Sequence, residues 1–173
     1  MTNPPVLLVE DNSNDEMLML RAFKKGGFIN EVVVARDGAE ALAYLLPAED
    51  AGWIRPALIL LDLKLPKVDG LEVLRRIRND ARTALIPVVI LTTSAEEEDV
   101  VAGYSSGANA YVRKPVKFSA FAEAVNAIGV FWLFLSEPMP DDFSPARPAA
   151  GDALNLAPIP PEEASIVAGG QDG

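Results

Sequence analysis

The sequence predicts an α/β fold in which a doubly wound sheet of five parallel strands is flanked by five helices. Five short apolar runs alternate with segments whose apolar residues recur at helical spacing, which is typical of this class. The central run, residues 57–61, is apolar throughout and lies between Pro56 and Pro66, as expected of a strand buried on both faces. Charged or hydroxyl residues follow these runs, at the end of a parallel sheet where ligands bind.

The strands and helices are assigned from apolar runs, caps and breakers. The predicted strands are residues 6–9, 31–35, 57–61, 87–91 and 110–112. The predicted helices are residues 13 to about 25, 38–46, 70–80, 94–104 and about 117–135. Two capping boxes, Ser13 with Glu16 and Ser94 with Glu97, begin the first and fourth helices. The first helix presents Met17, Leu20 and Phe23 or Lys24 at helical spacing, which indicates its core face.

The last helix is apolar on more than one face. Its predicted core stripe has intervals of three and four residues and consists of Phe118, Phe121, Val125, Ile128, Trp132 and Leu135. The other large apolar residues point away from that stripe, and they are Val130, Phe131, Leu133 and Phe134. The wholly apolar run, residues 127–135, is shorter than the about 20 residues of a membrane span. A patch of this kind favours a homodimer interface, or a tail that folds over it.

Composition excludes several classes of function. The net charge of −10 argues against non-specific binding to nucleic acid or to anionic membranes. The absence of cysteine and histidine excludes disulfides, thiolate sites, imidazole-based zinc sites, histidine-dependent triads and a phosphohistidine donor. The N-terminus lacks a signal-peptide pattern, so we expect a cytoplasmic protein.

Five side chains that can carry chemistry follow four of the predicted strands. They are Glu10 and Asp11 after strand one, Asp62 after strand three, Thr92 after strand four and Lys114 after strand five. In a flavodoxin-like strand order, 2-1-3-4-5, strands one and four flank strand three. Asp11 and Thr92 should therefore lie on either side of Asp62, and Lys114 lies two strands away, within reach of its long side chain.

These residue types point to phosphoryl transfer. Converging carboxylates repel one another, and a hard divalent cation relieves the repulsion; Mg²⁺ fits because it prefers one or two carboxylates, water and a phosphate oxygen. A metal ion and Lys114 would neutralise the oxygens of a transferred phosphoryl group. Asp62 would act as the nucleophile, and Thr92 would offer its hydroxyl to a phosphoryl oxygen.

The chain resembles the receiver domains of bacterial two-component response regulators over about residues 5–130. The matching segments are Val9-Glu10-Asp11-Asn12, Leu61 through Gly70, Leu91-Thr92-Thr93-Ser94, Gly107 through Tyr111, and Lys114-Pro115. The resemblance implies that Asp62 accepts a phosphoryl group from a histidine kinase. It also implies that Asp11, Asp62 and the backbone carbonyl of Lys64 hold Mg²⁺, with Glu10 acting indirectly.

The resemblance assigns further roles near the end of strand five. Lys114 would pair with the phosphoryl group, and the Lys114–Pro115 peptide bond would be cis. Thr92 and Tyr111 would form a switch pair, although spacing alone is equally consistent with Tyr111 as a half-buried strand aromatic.

Two features narrow the resemblance. Lys64, two positions after the phosphoacceptor, is unusual where asparagine or methionine is familiar, so we expect an altered lifetime of the phosphoryl group. The acidic, asparagine-containing opening and Phe131-Trp132-Leu133 are similar to single-domain regulators that partner bacterial phytochromes. A bacteriophytochrome kinase is therefore the expected partner.

The chain beyond the receiver differs in composition. We assign residues 1–136 to the receiver domain and residues 137–173 to an extended or disordered tail, rich in proline and acidic residues. Such a tail does not suit DNA binding.

The main hypothesis is a stand-alone phosphoreceiver that acts through protein contacts and is not an enzyme, apart from slow loss of its own phosphoryl group. An intermediate of a phosphorelay is the alternative. An aspartyl-phosphate phosphatase of the haloacid dehalogenase type is disfavoured, because Lys64 replaces its second aspartate and no insertion is long enough for a cap. A receiver that no longer takes phosphate is disfavoured because Asp11, Asp62, Thr92 and Lys114 are all present.

Overall fold

The computed structural model, which describes residues 3–48, 52–138 and 140, contains the predicted parallel sheet. Its five strands lie in the order β2-β1-β3-β4-β5, which confirms the sequence prediction. The strands are β1 (Val6–Val9), β2 (Val32–Ala35), β3 (Leu58–Leu61), β4 (Val88–Thr92) and β5 (Ala110–Arg113). All four residues of β3 are buried, as expected of a strand covered on both faces.

The helices cover both faces of the sheet. They are α1 (Ser13–Lys25), α2 (Gly38–Leu45), α3 (Gly70–Arg78), α4 (Glu97–Ser105) and α5 (Phe118–Gly129), and α5 continues into a π-helix, Val130–Leu135. Side chains from α2 and α3 pack against one face, and those from α1 and α5 pack against the other. Burial of alternate strand residues on each face supplies the apolar area that stabilises this layered arrangement.

The register of the strands brings their carboxyl ends to one edge. Val9 of β1 pairs with Leu61 of β3, and Leu61 pairs with Ile90 of β4. The backbone N–H of Asp62 donates to the carbonyl of Val9 at 3.1 Å, which continues the pairing beyond the strand ends. The residues that follow β1, β3 and β4 are therefore held side by side.

Gly70 fixes the chain just below this edge. Its N–H donates to the carbonyl of Leu63 at 2.9 Å, and a Cβ at position 70 would overlap the carbonyl oxygen of Asp62. The first turn of α3 can approach the Asp62 backbone this closely because glycine has no side chain. Asp69 caps the same helix by accepting from the N–H of Glu72.

The caps of two helices differ from the predicted capping boxes. Asn12 is the N-cap of α1, and its side-chain oxygen accepts from the N–H groups of Asn14 and Asp15. The backbone at Asn12 is extended, and its carbonyl accepts from Glu16 N, so the helix begins one residue earlier than the Ser13 box requires. At α4 the N-cap is Glu96, and the Ser94 hydroxyl instead donates to Asp99.

The core face of α1 was predicted wrongly in part. Met19, Ala22 and Phe23 are buried, whereas Met17 and Leu20 are exposed. Both sets are apolar and both fit helical spacing. Helical spacing alone therefore does not distinguish the buried set from the exposed one.

The π-helix changes which side chains of the C-terminal segment face the core. Phe121, Val125 and Ile128 are buried and Trp132 packs against them, as predicted, but Phe118 and Leu135 are exposed. Leu133, predicted to point outward, packs against the same core. The N–H of Ser136 donates to the carbonyl of Phe131, five residues back, so the predicted spacing of 3.6 residues per turn no longer applies here.

By length and composition alone, the 18 residues Phe118–Leu135 form a helix long and apolar enough to cross a membrane. Three buried side chains of α5, Phe121, Val125 and Ile128, lie in the core cluster that also includes residues of the sheet and of α1. The predicted tail, residues 137–173, lies outside the described residues except for 137, 138 and 140.

Candidate functional site

Asp62 lies at the carboxyl end of the central strand and is hydrogen-bonded on both carboxylate oxygens. Its Oδ1 accepts from the Thr92 hydroxyl at 2.8 Å and from the Lys64 backbone N–H at 3.2 Å. Its Oδ2 accepts from Lys114 Nζ at 2.7 Å. Asp62, Thr92 and Lys114 are all buried, so these bonds form where water competes little.

Lys114 joins three carboxylates. Besides Asp62, its ammonium donates to Glu10 Oε2 at 2.6 Å and to Asp15 Oδ2 at 2.9 Å. Burial alone would lower the pKa of Lys114, but the hydrogen bonds to Asp62, Glu10 and Asp15 outweigh it, so the pKa lies above its usual value. The ammonium is therefore charged throughout the physiological range.

Glu10 is the most deeply buried acid of the group. Its Oε1 accepts from the Asn12 N–H at 3.1 Å, and its other oxygen accepts from Lys114. Burial raises the pKa of Glu10, and the bonds to Lys114 and Asn12 offset only part of that effect. Holding Glu10 ionised here has a free-energy cost that a cation would reduce.

Three carboxylates lie close enough to bind one metal ion. One oxygen from each of Glu10, Asp11 and Asp62 lies within 4.8 Å of the others. With Asp15 the site has four carboxylates and a single ammonium, which leaves an excess of three negative charges. Hard carboxylate oxygens with uncompensated charge suit a hard divalent cation, and exposed Asp11 leaves room for water ligands.

The Lys64 side chain forms an ion pair beside the site and does not contact the site carboxylates described above. Its Nζ lies 3.3 Å from Asp99 Oδ2 on α4, and its side chain is 66% exposed. The hydrogen bond with Asp99 raises the pKa of Lys64. Asp99 also accepts from the Ser94 hydroxyl at 2.5 Å, so this ion pair links the loop after β3 to the loop after β4.

Tyr111 lies on β5, behind the loop that carries Ser94. Its hydroxyl donates to the carbonyl of Ser94 at 3.3 Å, and the Ser94 N–H donates to Thr92 Oγ1 at 3.4 Å. Its ring is half-buried against Gly103 of α4. Thr92 and Tyr111 are thus connected through one residue.

The predicted cis peptide bond is corrected: the Lys114–Pro115 bond is trans. The trans form of an X–Pro bond is favoured by about 0.5–1 kcal/mol, and Lys114 reaches all three carboxylates from it.

Hydrogen bonds join Glu10, Asp62 and Thr92 to one another through Lys114 and Asp62, and Asp11 lies beside Glu10 and Asp62. The Lys64 backbone N–H contacts Asp62, and the metal contact of its carbonyl stays a prediction. Sequence reasoning missed Asp15, which contacts Lys114 from the first turn of α1, and Asp99, which pairs with Lys64. Asp15 lies in the first turn of α1, which begins two residues after Asp11, and its carboxylate reaches Lys114 at 2.9 Å.

Comparison with known proteins agrees with this geometry. The chain matches the response regulator receiver domain family over residues 6–126. It belongs to this family. The chain is 45% identical over 128 residues to the probable methanogenesis regulatory protein FilR2 of Methanothrix harundinacea. The alignment covers 74% of this chain and 83% of FilR2. The chain is 42% identical over 135 residues to response regulator Rcp1 of Synechocystis, covering 76% of the chain and 92% of Rcp1.

Solved receiver structures have the same fold. The phosphorylated cyanobacterial phytochrome response regulator RcpA superposes with a TM-score of 0.74 at 42% identity, over 79% of this chain and 99% of RcpA. The Mn²⁺-bound form of Rcp1 superposes with a TM-score of 0.74 at 38% identity, over 79% of this chain and 99% of that structure.

Replacing Lys114 tests the charge balance of this receiver. Lys114→Met should lower the free energy of unfolding by about 3 kcal/mol, because it leaves three carboxylates without their buried partner. Mg²⁺ should return part of the loss. Denaturant titrations with and without Mg²⁺ measure both effects.

Lys67→Met is the matched control for Lys114→Met. Lys67 also pairs with an aspartate, Asp37, but its side chain is 65% exposed. The free energy of unfolding of Lys67→Met should fall clearly less than that of Lys114→Met, and Mg²⁺ should not restore it. Equal losses in the two variants would contradict the proposed charge balance.

Proposed function

We propose that this protein is a stand-alone response regulator that accepts a phosphoryl group on Asp62 from a histidine kinase and requires Mg²⁺. The observation that carries the proposal is the position of Asp62, whose carboxylate lies between the Thr92 hydroxyl and the Lys114 ammonium and beside Glu10 and Asp11. A nucleophile, two groups that complement phosphoryl oxygens and a metal-binding set are the parts that phosphoryl transfer needs.

The proposed reaction is an in-line displacement on phosphorus. A carboxylate oxygen of Asp62 forms the new P–O bond as the P–N bond to the kinase histidine breaks, and the imidazole leaves with the electron pair. Lys114 and the Thr92 hydroxyl are already directed at Asp62, so little reorganisation is needed to meet the phosphoryl oxygens. Bound Mg²⁺, held by Asp11, Asp62 and the Lys64 carbonyl with Glu10 acting indirectly, would supply charge neutralisation.

The proposed response begins at Thr92. Movement of its hydroxyl towards a phosphoryl oxygen would break the 2.8 Å bond to Asp62 and disturb the Ser94 loop. Tyr111 holds the carbonyl of that loop and packs against α4. A change at Thr92 would therefore reach the surface of α4 and β5, and a partner protein that contacts this surface would detect it.

The proposed partner is a cytoplasmic sensor histidine kinase, and similarity to RcpA favours a bacteriophytochrome. Similarity to FilR2 leaves the alternative of a phosphorelay driven by another signal. We propose residues 1–136 as the receiver and residues 137–173 as a tail that binds neither nucleic acid nor membrane. Lys64 at the second position after Asp62 argues against the phosphatase alternative.

Asp62 should be the sole phosphoacceptor. Incubation of the full chain with acetyl phosphate and Mg²⁺ should add one phosphoryl group, measured by intact-protein mass spectrometry. Asp62→Asn should abolish the addition, and a chelator should suppress it in the wild type. Asp69→Asn, which changes an exposed carboxylate beyond the site, is the control and should label normally. Equal labelling of Asp62→Asn would exclude the assignment.

Lys64 should prolong the life of the phosphoryl group without being needed to install it. The exposed Lys64 ammonium can leave Asp99 for phosphoryl oxygens carrying a charge of about −1.5 to −2, and it can hinder the approach of water. Lys64→Asn and Lys64→Ala should therefore lose the group a few-fold faster, since an exposed ion pair is weak. Equal half-lives would show instead that Lys64 is a solvated rim lysine, and slower loss in the variants would reverse the sign.

The proposed homodimer rests on an aromatic surface at the end of the π-helix. Phe131, Phe134 and Leu135 are 54%, 58% and 70% exposed. Phe134 stacks on Phe28 with ring centroids 5.6 Å apart, and Phe131 meets Trp132 edge-on at 5.0 Å. Rigid, contiguous aromatic surfaces of this kind are common in interfaces. Val130 is half-buried, so it and inward-facing Leu133 contribute less than predicted.

Light scattering on the full chain should give twice the mass of one chain. Phe134→Asp should yield monomers, whereas Val101→Asp, which changes an equally exposed apolar residue on α4, should leave the dimer intact. A monomeric full chain whose tail-deleted form associates would instead support the tail as the cover of this surface.

A further inference from the structure

Asp15 is the third carboxylate on Lys114, and the proposed phosphoryl chemistry gives it no role. It lies in the first turn of α1, on a different element from Glu10 and Asp62. Its Oδ2 accepts from Lys114 Nζ at 2.9 Å, and its side chain is 26% exposed, against 1% for Glu10 and 9% for Asp62.

The ammonium of Lys114 uses all its donors in this arrangement. A lysine ammonium has three N–H groups, and Glu10, Asp15 and Asp62 accept one each. Two of these acceptors, Glu10 and Asp62, also belong to the group that can hold a metal ion. Among the described residues, Asp15 is the partner of Lys114 outside that group.

A metal ion and a phosphoryl group would therefore weaken two of the three anchors. Glu10 would share its charge with the cation, and the Asp62 carboxylate would become an acyl phosphate. The four-carbon side chain of Lys114 loses about 2 kcal/mol of conformational entropy when it is fully ordered. If the hydrogen bond from Lys114 to Asp15 persists through the reaction, the Lys114 side chain is already ordered before phosphoryl transfer begins.

We propose that Asp15 is a positioning residue that holds Lys114 in place when Glu10 engages the metal and Asp62 accepts the phosphoryl group. Asp15 bonds one N–H of the ammonium, and the other two remain directed at Glu10 and Asp62, where the phosphoryl oxygens arrive. This inference rests on the proposed function and adds to it a link from α1 to the phosphoryl site.

The helix supplies a matched control for Asp15. Glu16 lies in the same first turn and carries the same charge, but it forms a bidentate pair with Arg36 instead of contacting Lys114. Glu16→Gln and Asp15→Asn therefore remove the same charge from the same end of the helix dipole. Only the second change alters the surroundings of Lys114.

The kinetic experiment uses the full chain with acetyl phosphate at saturating Mg²⁺. Loss of one charge-assisted hydrogen bond in Asp15→Asn should slow phosphorylation about three- to tenfold. Asp15→Glu should recover part of the rate, Glu16→Gln should match the wild type, and Mg²⁺ affinity measured by calorimetry should stay within about twofold in all variants.

A second measurement reports on Lys114 without any phosphorylation. The ¹⁵N-labelled ammonium of Lys114 should give a protected NMR signal in the Mg²⁺-loaded wild type and in Glu16→Gln. In Asp15→Ala the signal should broaden through faster exchange with water. If the wild type is not labelled on Asp62, the proposed function fails, but this comparison still decides whether Asp15 holds Lys114.

Three results would overturn the role of Asp15. One is a rate of Asp15→Asn equal to or above that of the wild type, which would make Asp15 irrelevant or a competitor of the phosphoryl oxygens. Another is an equal loss in Glu16→Gln, which would assign the effect to helix charge. The last is an unchanged Lys114 signal in Asp15→Ala.

Discussion

The structure depends on an imbalance of charge at one edge of its sheet. Glu10, Asp15 and Asp62 converge there on the single ammonium of Lys114, and Asp11 lies beside Glu10 and Asp62. These negative charges repel one another, and the pKa of Glu10 is raised mainly by its burial, with a smaller contribution from the charge of Asp62. The same imbalance makes a divalent cation and an electrophilic phosphoryl group favourable additions. The excess of negative charge is thus what should favour binding of a cation and of a phosphoryl group at this site.

The rest of the fold holds this imbalance in place. The hydrogen bond from Asp62 N–H to Val9 and the close approach of Gly70 fix the central carboxylate from two sides. Apolar clusters on both faces of the sheet stabilise the strands whose ends carry the charges. Burial of the apolar core therefore offsets the unfavourable folding free energy of the crowded carboxylates. Such a cost is expected where a functional site conflicts with stability.

Most of the site could be predicted because strand ends are simple to locate. Asp62, Thr92 and Lys114 each follow a short apolar run, and a parallel sheet brings such positions together. Residues whose place depends on side-chain direction could not be predicted in this way. In α1 the sequence pattern does not show that Met19 and Phe23 are buried while Met17 and Leu20 are exposed. It also does not show that Asn12, and not Ser13, caps this helix. Leu133 turns inward because the helix widens, which spacing alone does not indicate.

The proposed dimer surface and the phosphoacceptor lie at opposite ends of the sheet. The helix α5 begins after Pro115 at the carboxyl edge, and the π-helix that extends it ends beside Pro4 and Pro87, which precede β1 and β4 at the amino edge. The 12 residues of α5, at about 1.5 Å each, already separate the two ends by about 18 Å. Dimerisation through Phe131 and Phe134 would therefore leave Asp62 accessible to a kinase. Because the Thr92–Ser94–Tyr111 connection leads to α4 and not to the π-helix, such a dimer should persist in both phosphorylation states, with α4 and β5 carrying the change that a partner detects.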